Sequence, residues 1–189
     1  MIKNKYKTSL SKTLSYILRH HPEDFNLEME IDGTVVINSL LEVLRDDNRF
    51  VNIEFEDIQQ LAENDNKNRF TIIENKNNKR IKANYGHSIE WINLDYNKIK
   101  PPQYLYHGTT EKYYENILKE GVRKMGRKYV HLSKTKQQAR QVGKRRTKNP
   151  IILKIYAENM YNDGYSFFKT NSYIILTEYV DSKYIEKTR

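Results

Sequence analysis

Two short stretches decide the fold of the second half of this chain: Leu105-Tyr106-His107-Gly108-Thr109 and Val130-His131-Leu132-Ser133. Each is an apolar, strand-like run that ends in a histidine and small or hydroxyl residues. A strand that presents imidazole, backbone amide and hydroxyl groups together is suited to hold a polar ligand. Because a helix is predicted between them, the two strands indicate a ligand cleft rather than two isolated core histidines.

The composition favours an anionic partner. The 189 residues include 33 Lys and Arg against 24 Asp and Glu, a formal net charge of +9. Nucleic acid is the commonest partner of such a surface, although solubility alone also accounts for the charge. The absence of cysteine excludes disulfides and thiolate metal sites. No apolar run approaches the roughly 20 residues of a membrane span, and no signal-type start is present. We therefore expect a cytoplasmic protein without a membrane partner.

The first half of the chain predicts helices followed by a pair of strands. Apolar residues at helical spacing predict a first helix over residues 9–21, capped by Thr8 or Ser9 and stopped by Pro22. The other predicted elements are a turn at Asp32-Gly33, helices from Asn38 and around residues 55–61, and strands over residues 69–73 and 80–83. Helices followed by a two-stranded ribbon favour a winged-helix-like module.

The second half predicts a β-rich lobe. Lys98-Ile99-Lys100-Pro101-Pro102 favours an extended connector, which places the boundary between lobes of residues 1–97 and 98–189. Beyond it, strands are predicted over residues 103–107, 128–132, 150–157, 165–169 and 173–180, and helices over residues 110–119 and 134–144. The predicted fold class is α+β.

The motifs of several common sites are missing from the sequence. No G-x-G-x-x-G and no G-x-x-x-x-G-K-[ST] occurs, which argues against a Rossmann site or a P-loop. No H-x-x-x-H occurs either, and on a helix the adjacent His20 and His21 point about 100° apart and cannot share one ion. We therefore expect no metal.

The remaining candidates for chemistry are cations and imidazoles. Arg19 and His20 lie in the last turn of the first helix, where the helix dipole favours a protonated imidazole, and Lys12 shares an i, i+4 row with His20. There are three other candidates: Arg69 at the start of a predicted strand, Arg127 before the second histidine strand, and Arg145 after a predicted helix. Taken singly, each is explained at least as well by a solvated surface as by phosphate binding.

Together, these residues resemble a known family. The chain is similar to the RNA 2′-phosphotransferases, also called tRNA 2′-phosphotransferases, from residue 10 to about residue 184. The run that ends in Arg19-His20 is the most specific part, whereas His107-Gly108-Thr109 also occurs across ADP-ribosyltransferases. The other matching pieces are Arg69-Phe70, Gly86-His87-Ser88, Arg127, Val130-His131-Leu132-Ser133, Val142-Gly143 with Arg145, Asn159-Met160 and Leu176-Thr177.

The resemblance implies a winged-helix-like RNA-binding lobe followed by a β-rich, ADP-ribosyltransferase-like lobe that binds NAD⁺. It implies an enzyme of tRNA processing and splicing, expected to be a monomer, that transfers an internal RNA 2′-phosphate to NAD⁺ without a metal. The 2′-phosphate displaces nicotinamide to give RNA-2′-phospho-ADP-ribose, and the ribose O2″ then attacks the phosphorus. The products are 2′-OH RNA and ADP-ribose 1″,2″-cyclic phosphate.

The resemblance also assigns roles to individual residues. The four catalytic positions of the family map onto Arg19, His20, Arg69 and Arg127. The residues expected to hold NAD⁺ are His107, Gly108, Thr109, His131, Leu132 and Ser133. Those expected to contact RNA or phosphate are Lys12 and Arg145. The chemistry agrees, because arginines can clamp a phosphoryl group and a histidine can orient or deprotonate the O2″ nucleophile. Three catalytic residues come from the first lobe and one from the second, so we expect the active site between them.

The sequence departs from the family pattern at a few positions. Lys82-Ala83-Asn84-Tyr85-Gly86-His87-Ser88 stands where the family usually has Arg-Ala-x-Gln-Gly-His-Ser. A lysine keeps the charge of the arginine but not its bidentate fork. Tyr129 replaces a histidine that often precedes Val-His-Leu-Ser, and Asp181 stands where proline is common. None of these changes falls on the four catalytic positions.

Two other functions remain open at this point. An NAD⁺-dependent ADP-ribosyltransferase would leave ADP-ribose on a nucleic-acid end or a protein, with Glu178 after Leu176-Thr177 as its catalytic glutamate. Our preferred interpretation makes Glu178 a surface residue. The second alternative is a nucleic-acid-binding regulator with an inactive second lobe. It predicts nucleic-acid binding that does not depend on His107 and His131, and no NAD⁺ turnover.

Overall fold

The computed structural model describes residues 4–75, 78–170 and 173–188. The chain divides into two compact units, Met1–Asp95 and Tyr96–Arg189. Each unit contains both helices and strands, which confirms the predicted α+β class. In the described part of the chain, no helix is both long enough and apolar enough to cross a membrane.

The first unit packs helices against a small antiparallel sheet of order β1-β3-β2. Its elements are α1 (Asn4–Arg19), a 3-10 turn (Glu23–Phe25), β1 (Thr34–Val36), α2 (Ile37–Arg45), α3 (Phe55–Glu63), β2 (Phe70–Asn75) and β3 (Asn78–Ala83). The apolar stripe predicted for the first helix is confirmed, because Leu10, Leu14, Ile17 and Leu18 are fully buried in the core.

The first helix differs from the prediction at both ends. Thr8 and Ser9 do not cap α1 but lie inside it, and the Ser9 hydroxyl accepts a hydrogen bond from Arg49 at 2.9 Å. The helix extends towards the N-terminus because Tyr6 packs edge-on against the buried ring of Phe50 and continues the apolar stripe by one turn. At the other end, Pro22 disfavours helical geometry in the preceding residue, and α1 ends at Arg19.

The turn predicted before β1 is confirmed. Gly33 has φ +78°, a left-handed value that glycine adopts without steric cost. The Asp32 carboxylate accepts hydrogen bonds from the amide and hydroxyl of Thr34 at 3.0 and 2.8 Å, which fixes the chain as it enters β1.

The second unit is built on a six-stranded antiparallel sheet of order β11-β7-β4-β6-β9-β8. Its elements are β4 (Tyr104–Thr109), α4 (Glu111–Glu120), β5 (Val122–Arg123), β6 (Val130–Ser133), α5 (Lys136–Gly143), β7 (Ile151–Tyr156), α6 (Ala157–Asn162), β8 (Phe167–Lys169), β9 (Ile174–Thr177), β10 (Tyr179–Val180), a 3-10 turn (Ser182–Tyr184) and β11 (Ile185–Lys187). β10 leaves this sheet and pairs with β5.

Two predictions for the second unit were wrong. The strand expected over residues 173–180 is broken at the exposed Glu178 into β9 and β10. The strand expected over residues 150–157 ends at Tyr156, where α6 begins. This helix has only six residues, of which Ala157 and Met160 are buried, so it is too short to show a helical period in the sequence.

Two glycines allow α5 to lie directly against β4 and the chain around it. A Cβ atom on Gly108 would stand 2.4 Å from the backbone oxygen of Ala139 in α5. A Cβ atom on Gly143 would stand 2.5 Å from the Pro150 side chain. Gly108 is therefore required by packing, whatever it contributes to ligand binding.

We expect Gly108→Ala to lower the free energy of unfolding by about 3 kcal/mol, because the backbone of a packed helix cannot yield by the distance needed. Urea denaturation followed by circular dichroism measures this loss. Gly126→Ala is the matched control, because a Cβ atom there would meet nothing within 4 Å. Equal stability of the two variants would contradict the close packing of α5 on β4.

Candidate functional site

The last turn of α1 is bound to the chain that follows β3, Asn84-Tyr85-Gly86-His87-Ser88, which we call the 84–88 segment. The guanidinium of Arg19 lies over the ring of Tyr85, with 4.9 Å between its carbon and the ring centroid. Nδ1 of His20 lies 2.9 Å from the Ser88 hydroxyl. The Ser88 amide donates to the Arg19 carbonyl at 3.0 Å. The 84–88 segment thus holds both residues of the Arg-His pair.

Gly86 explains how the backbone can come so close to Arg19. Its φ is +91°, and a Cβ atom there would lie 3.4 Å from Nη1 of Arg19. Any other residue at this position would therefore have a strained backbone, and its side chain would touch the guanidinium at ordinary van der Waals distance.

Arg69 is held by the buried carboxylate of Asp65. Nε and Nη2 of Arg69 donate to the two carboxylate oxygens at 2.9 Å each, and its amide donates to Oδ2 at 2.7 Å. The Asp65 side chain is 4% exposed. Because the carboxylate occupies the Nε side of the guanidinium, the hydrogens at its far end remain for a second anion.

The environment of Asp65 lowers its pKa. Burial alone would raise the pKa, but hydrogen bonds from the side chain and amide of Arg69, the charge of Arg69 and the Lys67 amide together outweigh it. The carboxylate therefore stays charged and keeps Arg69 in place. Our sequence reasoning missed Asp65, although its i, i+4 spacing from Arg69 is visible in the sequence.

The 84–88 segment also contacts the turn that carries Arg69. The backbone amide of Asn84 donates a hydrogen bond to the Arg69 carbonyl at 2.8 Å, and the Tyr85 hydroxyl donates one to the Lys67 carbonyl at 2.9 Å. Within the first unit, this segment therefore brings together three of the residues predicted to be catalytic. Lys12 lies exposed on α1, about two turns before Arg19.

In the second unit, the two histidine motifs lie on β4 and β6, which form only a short ladder with each other. β4 pairs with β7 at six positions, but among the described residues it pairs with β6 only at Tyr106 and Ser133. Beyond that point, Nδ1 of His107 lies 3.2 Å from the His131 carbonyl oxygen. The imidazole thus bridges the two strands where their ladder is open. An opening between strands offers backbone groups to a polar ligand.

The other residues predicted to hold a ligand surround this opening to different degrees. His131 is half-buried, and its Nδ1 lies 3.1 Å from the Tyr129 carbonyl oxygen. Thr109 and Ser133 are buried, and the Leu132 side chain lies entirely within the core. A ligand in the opening would therefore meet Leu132 through its backbone alone.

Arg127 belongs to a group of neighbouring cations. Partial loss of water around its guanidinium, followed by repulsion from Arg146 and Arg145, lowers its pKa. Among the described residues, none of the salt bridges in this unit includes these three arginines. Because the cations repel each other, a bound anion would be stabilised by all three.

The pKa of His107 is lowered as well. Burial is the largest cause, the nearby charge of Arg127 acts in the same direction, and the hydrogen bond with the His131 backbone opposes both. A lowered pKa favours the neutral form of His107, and a neutral ring can bind an uncharged or cationic group without repulsion.

We expect His107 to titrate below 6.5, the ordinary pKa of histidine. The unfolded chain takes up this proton first on acidification, so the folded state loses stability as the pH falls from about 6.5 towards the folded pKa. An NMR titration of the five histidine rings measures the value. A His107 pKa at or above 6.5 would contradict the environment that the structure gives this ring.

The residue that the alternative transferase function requires lies between β9 and β10. Glu178 is exposed and follows β9. Burial and the charge of Glu178 raise the pKa of Tyr129, whose ring packs against Tyr96 and Phe168 at centroid distances of 5.9 and 5.3 Å. Glu178 is therefore close to Tyr129, the residue two positions before His131.

Comparison with known proteins identifies the family of this chain. A family model described as "RNA 2′-phosphotransferase, Tpt1 / KptA family" matches residues 5–179. The chain is 41% identical to a probable RNA 2′-phosphotransferase of Flavobacterium johnsoniae, covering 94% of each chain. It is 38% identical to one of Fusobacterium nucleatum, covering 94% of this chain and 96% of that protein. With one of Rhizobium leguminosarum it shares 37% identity, covering 98% and 96%. The chain therefore belongs to the RNA 2′-phosphotransferase (Tpt1/KptA) family of transferases.

Proposed function

We propose that this phosphotransferase is NAD⁺-dependent and moves an internal RNA 2′-phosphate onto NAD⁺ through RNA-2′-phospho-ADP-ribose. The products are then 2′-OH RNA, nicotinamide and ADP-ribose 1″,2″-cyclic phosphate. The observation that carries the proposal is the 84–88 segment, which holds Arg19, His20 and the turn of Arg69 together. Arginine and imidazole side chains suit a phosphoryl group, and this segment contacts all three residues, Arg69 through its backbone carbonyl.

The second unit fits NAD⁺ as a substrate. NAD⁺ supplies a cationic nicotinamide leaving group and an electrophilic ribose carbon. His107, Gly108, Thr109, His131, Leu132 and Ser133 would hold it at the opening between β4 and β6. A neutral His107 can hydrogen-bond there without repelling the nicotinamide ring. This assignment makes the second unit the ADP-ribosyltransferase-like lobe and the first unit the winged-helix-like RNA lobe.

The catalytic roles follow from the charges of the residues. Arg19, Arg69 and Arg127 bind and orient the 2′-phosphate, which is already anionic and needs no general base for its attack. In the second step, the same arginines stabilise the charge on the phosphoryl oxygens. Ser88 fixes the ring of His20 at Nδ1, so that the imidazole can orient or deprotonate the O2″ hydroxyl.

The proposal extends to the substrate and setting of the enzyme. Lys12 and Arg145 are exposed and would contact the RNA backbone, where each cation adds affinity that falls with salt. We propose a spliced tRNA with a 2′-phosphate as the natural donor, acted on in the cytoplasm by a monomer.

One incubation tests this function. The purified chain is mixed with a 2′-phosphorylated oligoribonucleotide and NAD⁺ without added metal, and the products are separated by chromatography and identified by mass. We expect nicotinamide and ADP-ribose 1″,2″-cyclic phosphate in equal amounts. The same oligoribonucleotide without the 2′-phosphate is the matched control. ADP-ribose left on the RNA with no 2′-OH product would favour the transferase alternative. RNA binding without NAD⁺ turnover would favour the regulator.

A further inference from the structure

Tyr85 makes contacts at both ends of its side chain. The residue is 8% exposed. Its ring lies against the Arg19 guanidinium at 4.9 Å, and its hydroxyl donates to the Lys67 carbonyl at 2.9 Å. Tyr85 is also one of the positions at which this sequence departs from the family pattern.

The ring contact restricts a long, flexible side chain. A guanidinium over the face of an aromatic ring is attracted by the ring quadrupole, more strongly where water is partly removed. The planar contact also selects among the rotamers that Arg19 would otherwise sample. The Tyr85 ring therefore determines where the Arg19 charge lies.

The hydroxyl contact connects Tyr85 to the turn of Arg69. Lys67 lies two residues before Arg69, and its amide donates to the Asp65 carboxylate that holds Arg69. One tyrosine thus contacts Arg19 directly and the Arg69 turn through its backbone.

From these contacts we infer that Tyr85 is a positioning residue, which fixes the Arg19 guanidinium through its ring and ties it to the turn that carries Arg69. The inference rests on the proposed function only where it concerns the reaction. The geometry itself is testable without any activity.

Two variants separate the ring from the hydroxyl. Tyr85→Phe keeps the ring over Arg19, whereas Tyr85→Leu removes it. We expect Tyr85→Leu to slow the second step about tenfold and to accumulate RNA-2′-phospho-ADP-ribose, while Tyr85→Phe stays within about threefold of the unmodified protein. A purely structural defect would slow both steps together and accumulate no intermediate. Tyr161→Leu, at an exposed tyrosine of α6, is the control.

A second measurement does not require activity. In a sample labelled with ¹⁵N-arginine, the ring current of Tyr85 shifts the side-chain resonances of Arg19. We expect this shift to persist in Tyr85→Phe and to vanish in Tyr85→Leu, with folding of each variant checked by thermal denaturation. An Arg19 resonance unchanged in a folded Tyr85→Leu protein would overturn the inference. An inactive unmodified protein with the expected shifts would instead contradict only the proposed function.

Discussion

Replacing Arg127 by alanine is expected to stop the reaction after its first step, so that RNA-2′-phospho-ADP-ribose accumulates and 2′-OH RNA forms at least about 100-fold more slowly. In the first step an anionic phosphate lies beside a developing carbocation, and the attraction between these opposite charges stabilises the transition state. The second step concentrates negative charge on the phosphoryl oxygens, which an arginine must stabilise. Arg127 is suited to this role because its neighbours Arg145 and Arg146 repel it, and a bound phosphate would relieve that repulsion.

A single-turnover experiment separates the two steps. The 2′-phosphorylated RNA carries a radiolabel, and its conversion to intermediate and product is followed by gel electrophoresis. Arg123→Ala is the matched control, because Arg123 is an exposed arginine of the same unit that pairs with Glu120. We expect this control to stay within about twofold of the unmodified protein.

Glu178→Ala decides between the two transferase functions in the same experiment. Glu178 is exposed, and the proposed mechanism gives it no role. A large loss of phosphate removal in Glu178→Ala, together with an active Arg127→Ala protein, would overturn the proposed assignment in favour of the ADP-ribosyltransferase alternative. Unimpaired release of 2′-OH RNA by Arg127→Ala would by itself refute the role of Arg127.

Local patterns predicted most of the elements but not their ends. The stripe of Leu10, Leu14 and Leu18 is a property of the sequence alone, and the burial of these side chains confirms it. The N-terminal end of α1 depends on Tyr6 meeting Phe50, which lies 44 residues further along the chain. The break between β9 and β10 depends on pairing between β10 and the distant β5. Such contacts are decided by tertiary packing, which no local pattern contains.

In the candidate site, too, some features follow from local sequence patterns and others depend on tertiary contacts. The sequence shows that the histidine motifs lie at strand ends. It does not show the opening between β4 and β6, which depends on how the two strands pair. Arg69 was singled out from the family pattern, whereas the residues that hold it and Arg19 were not. Asp65 and Tyr85 belong to no recognised motif, and their contacts with Arg69 and Arg19 are seen only in the three-dimensional structure. The roles of the catalytic and NAD⁺-binding residues remain predictions.

Two arginines of the first unit are each held by a neighbouring side chain. Arg19 and Arg69 each have one side occupied by a protein group, a ring in one case and a carboxylate in the other. A preorganised guanidinium loses less entropy when it binds an anion than one that is free to rotate. If Arg69 acts on the phosphate as proposed, the Asp65 carboxylate should affect the reaction through the position of Arg69.

Asp65→Asn is accordingly expected to have the second large effect. The amide side chain keeps the shape of the carboxylate but has only one oxygen, so it cannot accept hydrogen bonds from both Nε and Nη2 of Arg69 in the same way. We expect the free energy of unfolding to fall by about 2 kcal/mol and the rate of 2′-phosphate removal to fall roughly 100-fold, because a small displacement of a catalytic cation is costly. Urea denaturation and the RNA assay measure the two losses.

Asp47→Asn is the matched control for this variant. Asp47 holds Arg49 through the same side-on pair of hydrogen bonds, but Arg49 is exposed and is not one of the arginines proposed to act on the phosphate. We expect its activity to stay within about twofold of the unmodified protein, because an exposed ion pair contributes little. Equal activity losses in the two variants would mean that general destabilisation, rather than the position of Arg69, explains the effect of Asp65→Asn.

The pH dependence of stability isolates the charge of Asp65 from its shape. Because the folded-state pKa of Asp65 is depressed below 3.8, the stabilisation is fully present above the unfolded pKa and is lost as the pH falls through the folded pKa. The difference in unfolding free energy between the unmodified protein and Asp65→Asn should therefore be constant from about pH 5 to pH 8 and shrink below about pH 4. A difference that persists unchanged at acid pH would show that the amide perturbs packing, and that the charge of the carboxylate does not hold Arg69.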